Sequence, residues 1–247
     1  MTQPVIPVEE QIAFLTGQKD SGAAPVWVGQ KFAADGQVMR FAGNTTLCHI
    51  PKGPAHDALC AAQARLRRGL PQGAYAFLPE NSLHMTVMQG RNDPEREAPK
   101  WPDHLPADMP IDAVTTLYKH TLQSLDLPQQ FRIQPVQIAW GNSLTVAGAT
   151  AAQDAALRAA RDRMADALNY RAPDHATYRF HITLSYPIRW QTQAEAEATI
   201  ALSSEVNALL MQAVPEIELG AIEFCRFENM HAFENLGFLG ASQPASA

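Results

Sequence analysis

The sequence predicts an α+β fold of two pseudo-symmetric lobes, and three observations point there. A short signature occurs twice, as His84-Met85-Thr86-Val87 and His181-Ile182-Thr183-Leu184. Similar starts, Gly43-Asn44-Thr45 and Gly141-Asn142-Ser143, precede the two copies by 41 and 40 residues. In each half a helical pattern separates start from signature, another follows the signature, and an apolar run closes the half. The order β-α-β-α-β therefore occurs twice, over about residues 43–139 and 141–227, as expected of a duplicated unit. The halves share little identity beyond this, so the duplication is read from pattern.

The elements follow in chain order. Residues 1–26 form an N-terminal extension with a helix over about 7–17. Trp27–Phe32 and Gln37–Phe41 flank Ala33-Ala34-Asp35-Gly36, and Asp-Gly between apolar runs signals a hairpin. It lies outside the repeat and is expected to wall the pocket. The first half then runs as a strand from Gly43 to Ile50, a helix over 54–69, a strand over Leu83–Met88, a helix over 109–125 and a strand over 131–139. The second runs as a strand from Gly141 to about Ala147, a helix over 151–169, a strand over Phe180–Leu184, a helix over 194–213 and a strand over 216–227. Residues 91–108, rich in Pro and charge, have no counterpart of similar length after His181; such a loop reads as a lid or as a surface excursion. One domain over 27–240 is expected, followed by a disordered tail over 241–247.

Composition bounds the setting. The chain has 247 residues, 46% hydrophobic, and a net charge of −6. No apolar run approaches the roughly 18 residues that would signal a membrane helix. Met1–Val5 lacks the basic start of a signal peptide. Cys48, Cys60 and Cys225 are scattered, which suits a reducing cytoplasm and neither a disulfide framework nor a zinc site. A protein that grips long nucleic acid carries a basic face. Here the densest cluster, Arg65-Leu66-Arg67-Arg68, sits at a helix end where it meets the dipole. The expected partner is a nucleotide or a short oligonucleotide, with no membrane, no long nucleic acid and no obligate protein partner.

The chemistry follows from strand parity. Side chains at i and i+2 share a face, so each histidine stands beside its threonine with apolar neighbours opposite. Displacement at a phosphodiester needs a base for the attacking oxygen and an acid for the leaving one, and two histidines supply both. Threonine hydroxyls can hold the charge on the non-bridging oxygens. His84, Thr86, His181 and Thr183 are therefore the candidate catalytic residues. The third His-x-Thr, His175-Ala176-Thr177, reads as a loop and is set aside. Ser82 shares parity with His84, and Arg179 and Ser185 with His181, so all three are candidates to face substrate. Arg179 reads either as a phosphate contact or as a surface ion pair. Arg91 is a candidate phosphate contact, and Tyr186 either stacks on a base or packs. Asp162 and Asp166 read as solvated, and His49, His56, His104, His120 and His231 as structural or surface. No metal or cofactor is expected: a metal hydrolase would need a third ligand in the same pocket, and the sequence nominates none.

The paired motifs, with the flanks Gly43-Asn44-Thr45, Leu83–Gly90 and Tyr178–Tyr186, resemble the 2H phosphoesterase superfamily and within it the bacterial branch called DUF1868. The likeness covers about residues 27–235. It implies a metal-independent fold of two antiparallel sheets with outer helices around a central cleft. It also implies catalysis by the two histidine–threonine pairs. Activities in that superfamily include 2′,3′-cyclic phosphodiesterase, RNA 2′-5′ ligation, RNA 3′-end trimming and 2′-5′ oligoadenylate cleavage. The expected function is a metal-independent phosphodiesterase acting on a 2′,3′-cyclic nucleotide or a short RNA end. The alternatives are 2′-5′ ligation and a non-catalytic nucleotide-binding module on the same fold.

Overall fold

The computed structural model describes residues 4–18, 20 and 22–240. The tail expected over 241–247 lies outside them. Five helices and ten strands follow in chain order: α1 (Val8–Leu15), β1 (Gly43–His49), α2 (Pro54–Gly69), β2 (Tyr75–Phe77), β3 (His84–Asn92), α3 (Ile111–Leu122), β4 (Phe131–Ala139), β5 (Ser143–Gly148), α4 (Ala151–Ala167), β6 (His181–Thr183), β7 (Ser185–Pro187), α5 (Gln193–Ala213), β8 (Ile217–Leu219), β9 (Glu223–Asn229) and β10 (Ala232–Phe238). The local reasons are ordinary. Pro54 opens α2 at its first turn. Thr150 caps α4 by accepting from the Gln153 amide. Thr192 and Glu195 form a capping box on α5. None of these helices is long and apolar enough to cross a membrane.

The two lobes share one continuous antiparallel sheet, ordered β10-β9-β1-β3-β6-β5-β4-β8. They meet at β3 and β6, paired through Met85 and Ile182. Each half lends its closing strand to the other. β4, from the first half, pairs with β5, and β9, from the second, pairs with β1. The turn Trp140-Gly141-Asn142 explains the first exchange, because it folds β4 directly back onto β5. Trp140 and Gly141 both take positive φ there, at 54° and 69°.

The strand expected over 216–227 is split, and the split reveals the curl of the sheet. β8 is the last strand at one end and β9 the second at the other. Only Gly220, Ala221 and Ile222 connect them, a link that spans at most about 14 Å. Six strand spacings in a flat sheet would separate them by about 29 Å. The sheet therefore curls until its ends approach, which leaves one concave face.

The helices cover the other face. Met85, Val87, Ile182, Leu144 and Val146 point into a core shared with Leu59, Val114, Leu157, Met164 and Val206 from the helices. Each such side chain contributes about 1.5–3 kcal/mol by leaving water. Because parity fixes the faces, burying Met85 and Ile182 here turns His84, Thr86, His181 and Thr183 to the concave side.

A second cluster of Phe32, Phe41, Ala76, Leu78, Ile188 and Met230, joined by Tyr186, Phe227 and Phe233, borders that side. The segment 27–41 belongs to it. The expected hairpin is present as a turn but not as paired strands. Only the bridges Val28–Phe32 and Phe32–Val38 form, although Gly36 takes φ +85° and the Ala33 amide reaches the Gln37 carbonyl at 2.8 Å. Its side chains pack into the aromatic cluster, so neither run needs a partner strand.

The two Gly-Asn starts are not structural equivalents. Asn44 lies inside β1, where its Oδ1 accepts the Arg91 amide at 3.1 Å and its amide donates to Thr115 at 3.0 Å. Asn142 lies in the β4–β5 turn, where its carbonyl accepts the amides of Leu184 and Ser185. The strand register matches His49 with Thr145 instead, each directly opposite a motif histidine.

Candidate active site

The site is built from the centre of the sheet outwards. The antiparallel pair Met85–Ile182 sets His84 beside Thr183 and Thr86 beside His181 on the concave face. On the flanks, His49 of β1 opposes His84, and Thr145 of β5 opposes His181. His84 and His181 are then diagonal neighbours, about 7–8 Å apart at the backbone. All four motif side chains are half-buried.

Both rings are held the same way. His84 Nδ1 contacts the Ser82 carbonyl at 2.6 Å, and His181 Nδ1 contacts the Arg179 carbonyl at 2.9 Å. A carbonyl oxygen only accepts, so Nδ1 carries the proton and Nε2 is left as the working nitrogen. Burial lowers the pKa of His84 to about 4; the bond to Ser82 opposes this, and the neighbouring His49 and His181 add to it. Burial also lowers His181, with Lys31 adding in the same direction. Both shifts favour the neutral imidazoles.

Four side chains complete the surroundings. The Phe233 ring packs on His84 with centroids 4.3 Å apart. His49 stands 6.1 Å from His84, ring to ring, and is anchored by Glu223 through Nδ1 at 2.9 Å and through its main-chain amide at 3.1 Å. Burial acts to raise Glu223, but the His49 hydrogen bonds outweigh it and hold the carboxyl below its usual range. Lys31 reaches the His181 side from the 27–41 segment, its ammonium 4.0 Å from the Trp27 ring centre, 4.9 Å from Phe41 and 5.2 Å from Tyr186. Burial lowers its pKa to about 8, with Glu95 opposing and Lys100 assisting.

Several sequence expectations are corrected here. Ser82 is buried, its hydroxyl donates to the Pro79 carbonyl at 2.8 Å, and it serves His84 only through its carbonyl. For Arg179 both readings stand: its carbonyl holds His181, and its exposed side chain leaves open both a phosphate contact and a surface ion pair. Ser185 is fully buried and belongs to β7, which pairs with β2. The parity argument fails there because the chain leaves the large sheet at Leu184, whose carbonyl is taken by Leu78 and Gln63. Tyr186 packs at 5.0 Å on Phe32, with its hydroxyl on the Met230 sulfur at 3.6 Å, so it walls the Lys31 side instead of swinging over the cleft. Arg91 is buried with its guanidinium 4.0 Å from the Tyr170 ring centre and beside Tyr118 of α3; register shifts along the β1–β3 pair end simple alternation before it. The 91–108 loop is packed, with Trp101 and Leu105 buried and Arg96 bonded to the Ala107 and Met109 carbonyls. Its Glu95 lies close enough to act on Lys31.

Sequence reasoning passed over His49, Glu223, Lys31 and Phe233. Glu223 did carry a signal. An acid inside the run Ala221-Ile222-Glu223-Phe224-Cys225 must be paired if it is buried. His49 carried none, because its neighbour is set by the β1–β3 register.

Among the described residues, His49, Glu223 and Cys225 bring one potential metal-ligand atom each within 4.8 Å of one another. His49 and Glu223 already satisfy each other, and burial pushes the Cys225 thiol towards its neutral form. As built, the group is a hydrogen-bonded pair beside a thiol.

Comparison with known proteins agrees with this architecture. The chain matches the model of a family described as 2H-phosphodiest, Domain of unknown function (DUF1868), over residues 31–143. The match contains the His84 motif and stops before His181. The crystal structure of ATU0111, a conserved protein of unknown function from Agrobacterium tumefaciens, superposes with a TM-score of 0.87 at 34% identity, covering 93% of this chain and 98% of that one. TT0787 of Thermus thermophilus gives a TM-score of 0.39 at 17% identity over 81% of this chain and 97% of that one, too slight to carry an argument. No curated protein matches. With both histidine motifs on one face of a curled sheet, the chain belongs to the DUF1868 branch of the 2H phosphoesterase superfamily.

Proposed function

We propose that this protein is a phosphodiesterase that opens a 2′,3′-cyclic nucleotide, or a cyclic phosphate at the end of a short RNA, by two-histidine acid–base catalysis without a metal. The observation that carries the reading is the diagonal pair of imidazoles, both presenting Nε2 and each flanked by a threonine hydroxyl. One imidazole takes the proton of an attacking water while the other protonates the departing ribose oxygen. Thr86 and Thr183 donate to the non-bridging oxygens, where charge builds in the transition state. Lys31 adds a cation near enough to act on His181. The net charge of −6 favours a small substrate over a long nucleic acid.

The test is a screen of purified, EDTA-treated protein against 2′,3′-cyclic nucleotides, 2′-5′-linked dinucleotides and RNA oligomers ending in cyclic phosphate. Opening of a cyclic phosphate at a rate indifferent to chelation supports the proposal. Tight binding without turnover would make the protein a nucleotide-binding module. Activity lost to EDTA and restored by zinc or manganese would make it a metal hydrolase.

A further inference from the structure

The two halves of the site differ at one pair of matched positions. Directly opposite His84 stands His49; directly opposite His181 stands Thr145. His49 is moreover tied to a carboxylate. Glu223 accepts from both its ring Nδ1 and its main-chain amide. Those bonds fix the ring and turn His49 Nε2 away from the carboxylate as the acceptor nitrogen. The groups facing His49 are His84 from β3 and Glu223 and Cys225 from β9. At the matched position of the second half, Thr145 puts a hydroxyl, not an imidazole, opposite His181, and Lys31 is near enough to act on that ring.

Resting on the phosphodiesterase reading above, we propose that His49, held by Glu223, is a positioning residue that receives the proton His84 removes from the attacking oxygen, so that His84 is the base of the pair and His181 the acid. The steps balance. His84 Nε2 takes a proton from water as the new O–P bond forms. The P–O bond to the leaving oxygen breaks, and His181 Nε2 gives that oxygen its proton. The His84 imidazolium passes its Nε2 proton through one water to His49 Nε2, a bridge suited to rings 6.1 Å apart. His49 keeps its Nδ1 proton on Glu223 and releases the Nε2 proton to solvent, while solvent reprotonates His181, so each turnover ends where it began. The lowered pKa of His84 agrees with this direction, since it secures the neutral form a base needs.

The experiment uses two probes, 2′,3′-cyclic AMP and bis(4-nitrophenyl) phosphate. Nitrophenolate leaves without a proton, so it relieves the acid and not the base. We expect His181→Ala to lose far more activity on cyclic AMP than on the nitrophenyl ester, and His84→Ala to lose similar amounts on both. His49→Thr, which copies the second half, should lower kcat about 10–100-fold on both probes with KM little changed, as for loss of a supporting partner. Glu223→Gln should act in the same direction, and added imidazole should partly restore His49→Ala.

Wild-type kcat in both His49→Thr and Glu223→Gln would overturn the proposal. So would losses unresponsive to imidazole and accompanied by a changed circular dichroism spectrum, because those mark a purely structural role. A leaving-group pattern in which His84→Ala is the variant spared by nitrophenolate would reverse the assignment and also overturn it. If His84→Ala and His181→Ala remain fully active, or if the wild type turns over neither probe, the phosphodiesterase reading itself falls.

Discussion

His84 faces Thr183, not its own Thr86, across the β3–β6 pair, and His181 likewise faces Thr86. Each motif's threonine thus stands directly opposite the other motif's imidazole. Truncating one strand's motif would disturb both ends of a bound phosphate. We expect Thr86→Val and Thr183→Val, which keep the strand's shape, to cost about 1.5–3 kcal/mol each, the value of a hydrogen bond to a charged oxygen. Steady-state kinetics on folded variants check this, and a loss confined to one of the two would break the symmetry claimed for the site.

The pH dependence has a definite sign. The proposed mechanism needs His84 neutral and His181 protonated. His84 takes a proton only as pH falls through about 4, which sets the acid limb. His181 loses its proton below the ordinary histidine value, which sets the alkaline limb. Both shifts run downwards, so the bell in kcat/KM, which reports the free enzyme, should peak on the acid side of the usual histidine range. A profile still rising at neutral pH would contradict the protonation states assigned here.

Lys31 offers an independent handle. Lys31→Met should raise KM by about tenfold, the lower end for a charged hydrogen bond to a phosphate. It also removes a cation that lowers His181, so the alkaline limb should move to higher pH. If neither KM nor that limb changes, Lys31 is only packing.

Gly90 tests the scaffold. A Cβ there would collide with the Asn44 side-chain oxygen and the Asn44 main-chain carbonyl. Asn44 is buried and bonded to Arg91 and Thr115, so it has nowhere to retreat. Gly90→Ala should destabilise by about 1–3 kcal/mol or more, as overpacking does. Chemical denaturation of the two proteins would measure it.

The sequence carried what periodicity and parity carry. α2 and β4 fall within the bounds their patterns predict, and the motif histidines share one face because alternation with Met85 and Ile182 demands it. Whatever depends on register or on chain direction after a break was illegible. Ser185 kept the right parity, yet the chain turns at Leu184 into a different sheet. Arg91 lies beyond register shifts that no local signal marks. The Gly-Asn starts matched in spacing while occupying a strand and a turn. His49 became part of the site only through the strand opposite it.

The most direct measurement is turnover of a 2′,3′-cyclic nucleotide by His84→Ala, His181→Ala and the double variant, each verified as folded by circular dichroism. We expect each single change to remove about 10²–10⁴-fold of the rate, and the double variant to lose little more than the worse single one, because acid and base act on one displacement. Two folded single variants with near-wild-type rates would contradict the two-histidine site.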